Sequence, residues 1–382
     1  MMKNHLLLLI FTISCFFAKA QTNGTIVHDG ITRNYIVYLP TSYTPAVSLP
    51  VVFVLHGFTQ SASTIMNVSD FNTVAEANDF IVAYPQGINN GWNTNTGFPG
   101  GSTADDVGFI EVLRDEFQTL YNIDSTRVYS CGFSAGGYMS HRLACESARC
   151  FAAIASVSGT MTNNAYNDCN PSEKTPVMQI HGTSDNVVSY NGGFGGKSVD
   201  EVIAKWVSIN SCPATPVITP LPDINTNDGS TVEKSLYDPC VDFSSVVLLK
   251  VIGGGHQWPG TTAILGGIGN INRDIIASEE LWSFFSNFNC PIPTGISDAA
   301  ISDNDIQLVP LGNGVFEISS HGKTGQILYY SVTAVDGKSI IKNYNTSLES
   351  NRFKIDLGIQ SPGIYILSIA SEKEIYSVRV VR

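Results

Sequence analysis

The stretch from Arg127 to Ser140, RVYSCGFSAGGYMS, decides the fold. A short apolar run enters Gly132-Phe133-Ser134-Ala135-Gly136, and a segment that can form a helix follows. This G-x-S-x-G pattern predicts a sharp turn between a strand and a helix, which lifts the serine hydroxyl above the edge of a sheet. Glycines suit the flanking positions because a Cβ there would meet the neighbouring strand or helix. Chance occurrence in a loop is the alternative, and the rest of the chain decides between the two.

Strand-like and helix-like segments alternate around this turn. Leu49–Leu55, LPVVFVL, is continuously apolar, which is typical of a strand buried on both faces of a parallel sheet. Asp29-Gly30, at the centre of the alternating segment 25–39, predicts a β-hairpin. Further strands are expected at 80–84, 151–157, 176–180 and 246–252, and helices at 71–78, 105–121, 198–210 and 273–288. The alternation predicts an α/β fold, with a mostly parallel sheet flanked by helices.

The length of the chain indicates how many domains it has, and its charge argues against nucleic-acid binding. The 382 residues suit two domains, and 43% hydrophobic content is enough for a packed core. The chain has 21 Lys and Arg against 33 Asp and Glu, a formal net charge of −12. Such a chain lacks the basic surface that displaces counterions from phosphates, so a nucleic-acid partner is not expected.

The first twenty residues have the features of an export signal. Lys3 gives a positive start, residues 6–17 are apolar, and Ala18-Lys19-Ala20 forms a small-x-small cleavage site before Gln21. A lipoprotein signal at Cys15 is the alternative, but Thr12 stands where such signals usually carry leucine. The apolar run is too short for a permanent transmembrane helix, so we expect a signal peptide at 1–20 and no stable membrane insertion.

Cysteine usage fits an oxidising compartment. Removing the signal peptide leaves seven of the eight cysteines, which predicts two or three disulfides and at least one free thiol. Cys212 with Cys240 is the first expected pair and Cys145 with Cys169 the second, while Cys131 is expected to be free and buried beside the turn. No repeated C-x-x-C spacing is present, so neither a metal nor another cofactor is expected.

A serine nucleophile needs a base, and the base needs a carboxylate that orients it. In α/β-hydrolases these residues follow the chain order Ser, Asp or Glu, His. Of the seven histidines, only His256 and His321 lie far enough after Ser134, and His321 falls in the β-rich end of the chain. His256, after the run 246–252, is therefore the predicted base. Asp185 is the predicted acid because it alone among the intervening aspartates directly follows a strand-like run.

An ester-cleaving site also needs two N–H donors for the oxyanion and a pocket for the substrate. The backbone amide of Ala135, directly after the serine, is one predicted donor. The amide of Phe58, in the loop after Leu49–Leu55, is the other. Trp92 and Trp258 are candidates for the wall of an acyl or sugar pocket, and Gln60 is a further candidate for substrate binding.

The character of the chain changes after Cys290. Residues 291–303 contain PIPTG and read as a linker, whereas 304–382 contain strand-like segments at 307–318, 326–344, 352–357 and 363–380. No helix is expected there. The sequence therefore predicts an α/β domain at 21–290 and a small C-terminal all-β sandwich.

Six motifs of the first domain occur in an order that resembles a known esterase group. They are LHGFTQSA at 55–62, YPQG at 84–87, ADDVGF at 104–109, GFSAGGYMSHRLACE at 132–146, HGTSDNVVSYNGG at 181–193 and GGGHQWPG at 253–260. The segment 24–290 is similar to secreted polyhydroxybutyrate depolymerases and to feruloyl and acetyl xylan esterases of carbohydrate esterase family 1. The resemblance puts the catalytic serine, aspartate and histidine at Ser134, Asp185 and His256. Phe58 is a departure, because many depolymerase-like relatives carry cysteine there.

This resemblance implies a secreted serine esterase that removes feruloyl or acetyl groups from plant cell-wall polysaccharide through an acyl-enzyme. A polyhydroxybutyrate depolymerase with the same chemistry is the alternative. An inactive hydrolase that serves as a surface binding protein is an alternative from another class, and the complete serine, aspartate and histidine set argues against it.

The tail is similar to C-terminal sorting domains of the type IX secretion system of Bacteroidetes. The matching residues are VDGKSI at 335–340, SPGIYILSI at 361–369 and the basic end with Arg379 and Arg382. The usual Pro-Asn-Pro opening is absent, and 309–314 read VPLGNG instead. The resemblance implies export to the cell surface or medium with the type IX machinery as partner. A polysaccharide-binding module is the alternative for these strands.

Overall fold

The structure is a computed structural model that divides the chain into two units, Met1–Cys290 and Pro291–Arg382. In the first unit it describes residues 21–95, 101–171, 173–193, 196–263 and 269–290. In the second it describes 306–312, 315–320, 327–334, 339–344, 352–357, 364–371 and 375–381. The predicted signal peptide at 1–20 and linker at 291–303 lie outside the described residues.

The first unit is built on one ten-stranded sheet. Its strands are β1 (Gln21–His28), β2 (Ile31–Tyr38), β3 (Leu49–Leu55), β4 (Ile81–Pro85), β5 (Ile123–Phe133), β6 (Ala153–Val157), β7 (Val177–Gly182), β8 (Val217–Pro220), β9 (Thr231–Tyr237) and β10 (Val246–Ile252). They lie in the order β1-β2-β4-β3-β5-β6-β7-β10-β9-β8. The six strands from β4 to β10 are parallel, whereas the pairs at each edge are antiparallel.

The centre of the sheet agrees with the sequence prediction. β3 and β10 have the predicted bounds, and their buried apolar runs explain why, since both faces of each strand are covered. The β1–β2 hairpin begins earlier than expected, at Gln21. The hairpin of β8 and β9 was not predicted. All four residues of β8 are exposed, so no buried apolar run marks this edge strand in the sequence.

Helices cover both faces of the sheet. They are α1 (Ala62–Ser69), α2 (Phe71–Asn78), α3 (Asp106–Tyr121), α4 (Ala135–Glu146), α5 (Asn163–Asp168), α6 (Val199–Ile209) and α7 (Ala277–Phe285). The core on one face includes residues of α3, α4 and α6, and the core on the other includes residues of α1, α2 and α7. α7 is shorter than the predicted helix because the Asn272 carboxamide accepts hydrogen bonds from the amides of Asp274 and Ile275 in a turn before it.

Three disulfides join segments of this unit. Cys145–Cys169 and Cys212–Cys240 are the two pairs that the sequence predicted. Cys150–Cys290 spans 140 residues and was not predicted. Cys131 is free and buried as expected, and burial raises the pKa of its thiol.

The second unit is all-β in its described residues, as predicted. Its strands are β11 (Ile306–Gly312), β12 (Val315–Ser320), β13 (Ile327–Ala334), β14 (Ser339–Tyr344), β15 (Arg352–Asp356), β16 (Ile364–Ser371) and β17 (Ile375–Val381). They form two antiparallel sheets, β11-β12-β15 and β14-β13-β16-β17. Both sheets contribute buried apolar side chains, among them Val332, Ile355 and Leu367. In neither unit do the described residues include a helix of the length and apolar character that a membrane span requires.

Candidate active site

Ser134 occupies the turn between β5 and α4. Its backbone has φ 54° and ψ −118°, an unfavourable conformation for a residue with a Cβ. The flanking glycines make the turn possible. A Cβ on Gly132 would lie 2.3 Å from the carbonyl carbon of Gly136, and a Cβ on Gly136 would lie 2.1 Å from the carbonyl oxygen of Leu55. The local geometry is therefore the tight strand-to-helix turn that the G-x-S-x-G pattern predicts.

A buried carboxylate and imidazole lie at the ends of two adjacent strands. Asp185 follows β7, His256 follows β10, and these strands pair in parallel. His256 donates a hydrogen bond from Nδ1 to Asp185 Oδ2, 2.8 Å away. The amides of Val187 and Val188 donate to Asp185 Oδ1 at 2.9 and 2.8 Å. The carboxylate is thereby fixed on both oxygens, and the bond to Nδ1 leaves Nε2 of His256 as the nitrogen that can accept a proton.

The serine turn and the imidazole are brought together through Phe133. The ring of Phe133, the residue before Ser134, lies 4.8 Å from the His256 ring, centre to centre. Ser134, Asp185 and His256 are 7%, 4% and 5% exposed, so the group is largely shielded from bulk water. The three residues chosen by chain order thus follow β5, β7 and β10 at the same edge of the sheet.

The loop after β3 lies against this group. A Cβ on Gly57 would lie 3.1 Å from the Phe133 ring, and a Cβ on Gly136 would lie 2.9 Å from the His56 carbonyl oxygen. The amide of Ala135, the first residue of α4, and the amide of Phe58 therefore belong to two segments in direct contact. This is the arrangement expected of two oxyanion donors from neighbouring strands.

His56 and Gln60 fix the shape of that loop. His56 donates from Nδ1 to the Gly57 carbonyl at 2.8 Å and accepts at Nε2 from the Gly87 amide at 2.9 Å. Burial lowers the pKa of His56 to about 4, so the ring is neutral near pH 7. Gln60 accepts from the Gly57 amide through Oε1 at 3.0 Å. Its carboxamide oxygen orients the loop, whereas the sequence suggested a contact with substrate.

Trp92 and Trp258 do not form the wall of an open pocket in this structure. Each is only 1% exposed. Trp92 donates from Nε1 to the His56 carbonyl at 2.8 Å, and Trp258 donates to Ser278 Oγ at 3.1 Å and packs against Phe71. Their position near the motifs is explained by packing beneath the loops, which corrects the expected role in substrate binding.

A chain of buried hydrogen bonds lies behind the site. Trp206 on α6 donates to Nδ1 of His141 on α4, and His141 donates from Nε2 to the carboxamide oxygen of Gln179 on β7. The Gln179 amino group donates to the Gly159 carbonyl at 2.8 Å and to His181 Nδ1 at 3.1 Å. Burial lowers the pKa of both histidines, to about 4 for His141.

This series of hydrogen bonds ends at Asp185. With its Nδ1 accepting from Gln179, His181 donates from Nε2 to the Val188 carbonyl at 2.8 Å and lies 3.4 Å from Asp185 Oδ2. The second acceptor from Gln179, Gly159, contacts the Ser134 carbonyl oxygen, because a Cβ on Gly159 would lie 2.5 Å from it. Sequence reasoning missed Gln179. The available signal was a polar side chain within the otherwise apolar run VMQI of β7.

One group of side chains has the donor types that a cation takes. His28, Asp29 and Asp105 offer ligand atoms within 4.8 Å of one another. His28 contacts Asp105 at 3.0 Å, and Asp105 also accepts from the Gly108 amide at the start of α3. A helix cap and a surface ion pair account for this group without a metal.

The chain is similar in sequence to a family of esterases and to individual feruloyl esterases. Residues 33–206 match the family model described as Esterase PHB depolymerase. Feruloyl esterase B from Piromyces equi is 31% identical over 239 residues, which cover 59% of this chain and 42% of that protein. Probable feruloyl esterase C from Aspergillus clavatus is 29% identical over 280 residues, 71% of this chain and 89% of that protein. The chain thus spans less than half the length of the Piromyces relative.

A solved structure extends the likeness to the fold. The acetyl xylan esterase from Aspergillus awamori superposes with a TM-score of 0.50 at 16% identity, covering 70% of this chain and 99% of that structure. The first unit has the α/β-hydrolase fold. At this identity the structural likeness concerns the fold alone.

Proposed function

We propose that this protein is a serine esterase that removes feruloyl or acetyl groups from plant cell-wall polysaccharide through an acyl-enzyme. The observation that carries the proposal is the buried His256–Asp185 hydrogen bond of 2.8 Å, beside the strained turn that holds Ser134. The names of the relatives, feruloyl esterase among the sequences and acetyl xylan esterase among the structures, support the substrate class.

In the first half of the reaction, Ser134 Oγ attacks the ester carbonyl carbon while His256 Nε2 takes the hydroxyl proton. The C–O bond to the sugar then breaks, and His256 returns the proton to the departing sugar hydroxyl. Asp185 keeps the Nδ1–H tautomer in place and stabilises the imidazolium. The product of this half is an ester of Ser134 with the feruloyl or acetyl group.

In the second half, water attacks the acyl-enzyme. His256 takes a proton from the water, the bond to Ser134 Oγ breaks, and the proton passes to the serine while the acid leaves. Both tetrahedral intermediates carry an oxyanion, for which the amides of Phe58 and Ala135 are the proposed donors. Loss of one such donor typically costs about 10² to 10³ in kcat.

A substrate panel tests the proposal. Initial rates of residues 21–382 are measured on methyl ferulate, acetylated xylan and a polyhydroxybutyrate suspension, with Ser134→Ala as the blank. We expect hydrolysis of at least one plant-wall ester and a loss of roughly 10⁴-fold or more in the variant. Activity of Ser134→Ala at the wild-type level would remove this serine from the mechanism.

The description of the matching family model favours a second candidate, a polyhydroxybutyrate depolymerase with the same residues and steps. Clearing of the polyester without hydrolysis of either plant-wall ester would select it. No turnover on any of the three substrates and no labelling by a fluorophosphonate would favour an inactive surface binding protein.

We also propose that the protein is exported. The first twenty residues would act as a signal peptide, and the all-β unit would be a type IX sorting domain that carries the enzyme to the cell surface or medium. The support is the sequence pattern at 335–340 and 361–369. A polysaccharide-binding module is the alternative for this unit.

A further inference from the structure

A groove of mixed polar and apolar lining lies between the β1–β2 hairpin and the start of α1. It has a volume of about 420 Å³ and opens to solvent. One wall is the face of the hairpin, the other is the first turn of α1, and Gln86 lies between them. The polar side chains of the lining are those of Asn23, Thr25, Asn34, Ser61, Ser63 and Gln86.

Gln86 connects this groove to the loop after β3. Its amide donates to the Asn34 carbonyl at 2.9 Å, and its Oε1 accepts from the Ala62 amide at 2.9 Å. Its Nε2 lies 3.2 Å from His56 Nε2, and His56 directly precedes the loop with the proposed oxyanion donor. The groove is therefore on the same edge of the sheet as Ser134.

The strand order sets the distance from the serine. From β5, which ends before Ser134, the order runs through β3 and β4 to β2. At a spacing of about 4.8 Å per strand, the end of β4 lies roughly 10 Å from β5, and β2 lies roughly 14 Å away. The groove side chains on β2 and β1 therefore lie roughly 14 to 19 Å from β5, a distance that a polymer chain of several units can span.

The lining selects a neutral ligand rich in hydroxyl groups. In the register of the hairpin, Asn23 pairs with Ile36 and Thr25 with Asn34, so these side chains share one face. Asn23, Thr25 and Asn34 are exposed, and within the described ranges their side chains have no hydrogen-bond partner. The described lining contains no charged residue. Amide and hydroxyl groups without a countercharge, beside the apolar side chains of Ile36 and Ala62, suit the hydroxyl edge and apolar face of a sugar better than a phosphate or a uronate.

We propose that this groove binds the glycan main chain of the substrate, holding sugar units a few positions away from the acylated one. The inference rests on the proposed function, which supplies a polysaccharide ester as substrate. A polymeric substrate then gains affinity from contacts in the groove that a small ester does not make. The groove also sets the direction in which the glycan crosses the site.

Direct binding tests the groove without any ester chemistry. Unesterified xylohexaose is titrated into residues 21–382 by calorimetry. We expect measurable binding, weakened by about 2-fold to 10-fold for each of Asn34→Ala and Thr25→Ala, the range of one lost hydrogen bond. Thr32→Ala is the matched control, since Thr32 is an exposed threonine two residues before Asn34 on β2 and outside the groove lining. Thermal melting checks that each variant is folded.

Kinetics add a second readout. On acetylated xylohexaose we expect the Asn34→Ala, Thr25→Ala double variant to lose kcat/KM by the same factor as binding, with 4-nitrophenyl acetate unaffected. Failure of the wild-type protein to bind xylohexaose, or an equal loss on both esters, would overturn the groove assignment. Binding that depends on Asn34 in a protein that hydrolyses no plant-wall ester would support the groove and refute the proposed function, so the two failures are distinguishable.

Discussion

Ser134 has a backbone conformation that a residue with a Cβ adopts only when its neighbours impose it. The neighbours here are Gly132 and Gly136, whose missing Cβ atoms let α4 approach Gly132 and β3 approach Gly136 within 2.1 to 2.3 Å of the positions those atoms would occupy. Because the requirement is steric and local, it leaves a readable pattern in the sequence. The turn that holds Ser134 was therefore predictable from a few residues, independently of the rest of the fold.

At the same scale, Gln179 is expected to position the acid without touching substrate. It donates to His181, which contacts both Val188 and Asp185. Gln179→Leu removes that donor, so the His181 tautomer and the Asp185 loop lose their support. We expect kcat to fall roughly tenfold, the value of one buried hydrogen bond of about 1.4 kcal/mol, with KM little changed. Initial rates of ester hydrolysis over a range of substrate concentrations give kcat and KM for the variant and the wild type.

A purely structural role for Gln179 would give another result. The fraction of folded protein would fall while kcat per folded molecule and its dependence on pH stayed at the wild-type values. Active-site titration with a fluorophosphonate provides the folded, active fraction. A shifted pH profile at full active fraction supports positioning, and an unchanged profile contradicts it.

The tryptophans show what residue-level reasoning misses. Trp92 and Trp258 adjoin motifs of the site, which suggested contact with substrate. Their rings instead point into the core and hold the His56 carbonyl and Ser278. Position along the chain gives the neighbourhood of a side chain but not the direction in which it points, since that direction depends on packing from distant elements.

At the scale of elements, strands buried on both faces were predictable and exposed ones were not. The sequences of β3 and β10 are nearly continuous apolar runs, and both ends of each strand were predicted correctly. β8 is exposed at all four residues and pairs only with β9 at the edge of the sheet. Its formation depends on the partner strand, and for this reason its own sequence carried no signal.

The contact between α4 and α6 predicts a dependence of stability on pH. Burial lowers the pKa of His141 from 6.5 to about 4, and outweighs the hydrogen bond to Gln179, which raises it. Between these values the unfolded chain binds a proton that the folded chain does not, so the free energy of unfolding falls as pH falls. From pH 7 to pH 5 this histidine alone is expected to cost about 2 kcal/mol, a loss that saturates below about pH 4.

His141→Gln isolates that contribution. Glutamine can accept from Trp206 and donate to Gln179 but does not titrate. Urea unfolding at pH 7 and pH 5 gives, for each protein, the loss of unfolding free energy between the two pH values. His56 and His181 are present in both proteins, so their contributions cancel in the comparison. We expect the variant to lose about 2 kcal/mol less than the wild type. Equal losses would show that His141 is not responsible.

At the scale of the whole molecule, the Cys150–Cys290 disulfide could not be predicted from local sequence patterns. Cys150 and Cys290 are 140 residues apart, and the bond ties the segment after α4 to the end of the first unit. Cysteine counting allowed a third bridge but did not give its partners, because pairing over such a separation is decided by the fold. The division at Cys290 coincides with a change in composition, which made the all-β tail readable.

The division into two units predicts separable roles. Deleting residues 296–382 is expected to block secretion in the native host, since the proposed sorting signal is removed. The same deletion should leave kcat/KM on small esters unchanged, because Ser134, Asp185 and His256 all lie in the first unit. Immunoblots of medium and cells, together with assays of the purified protein, measure the two effects. Continued export with loss of binding to insoluble substrate would instead identify a binding module.

The most direct measurement of the central claim is the site of covalent labelling. The intact protein is treated with a fluorophosphonate, digested and analysed by mass spectrometry, with Ser134→Ala and His256→Ala in parallel. We predict one label on Ser134, none on Ser134→Ala, and labelling of His256→Ala slowed by orders of magnitude because the base is missing. A label on another residue, or ester hydrolysis by a protein whose Ser134 stays unmodified, would contradict the account.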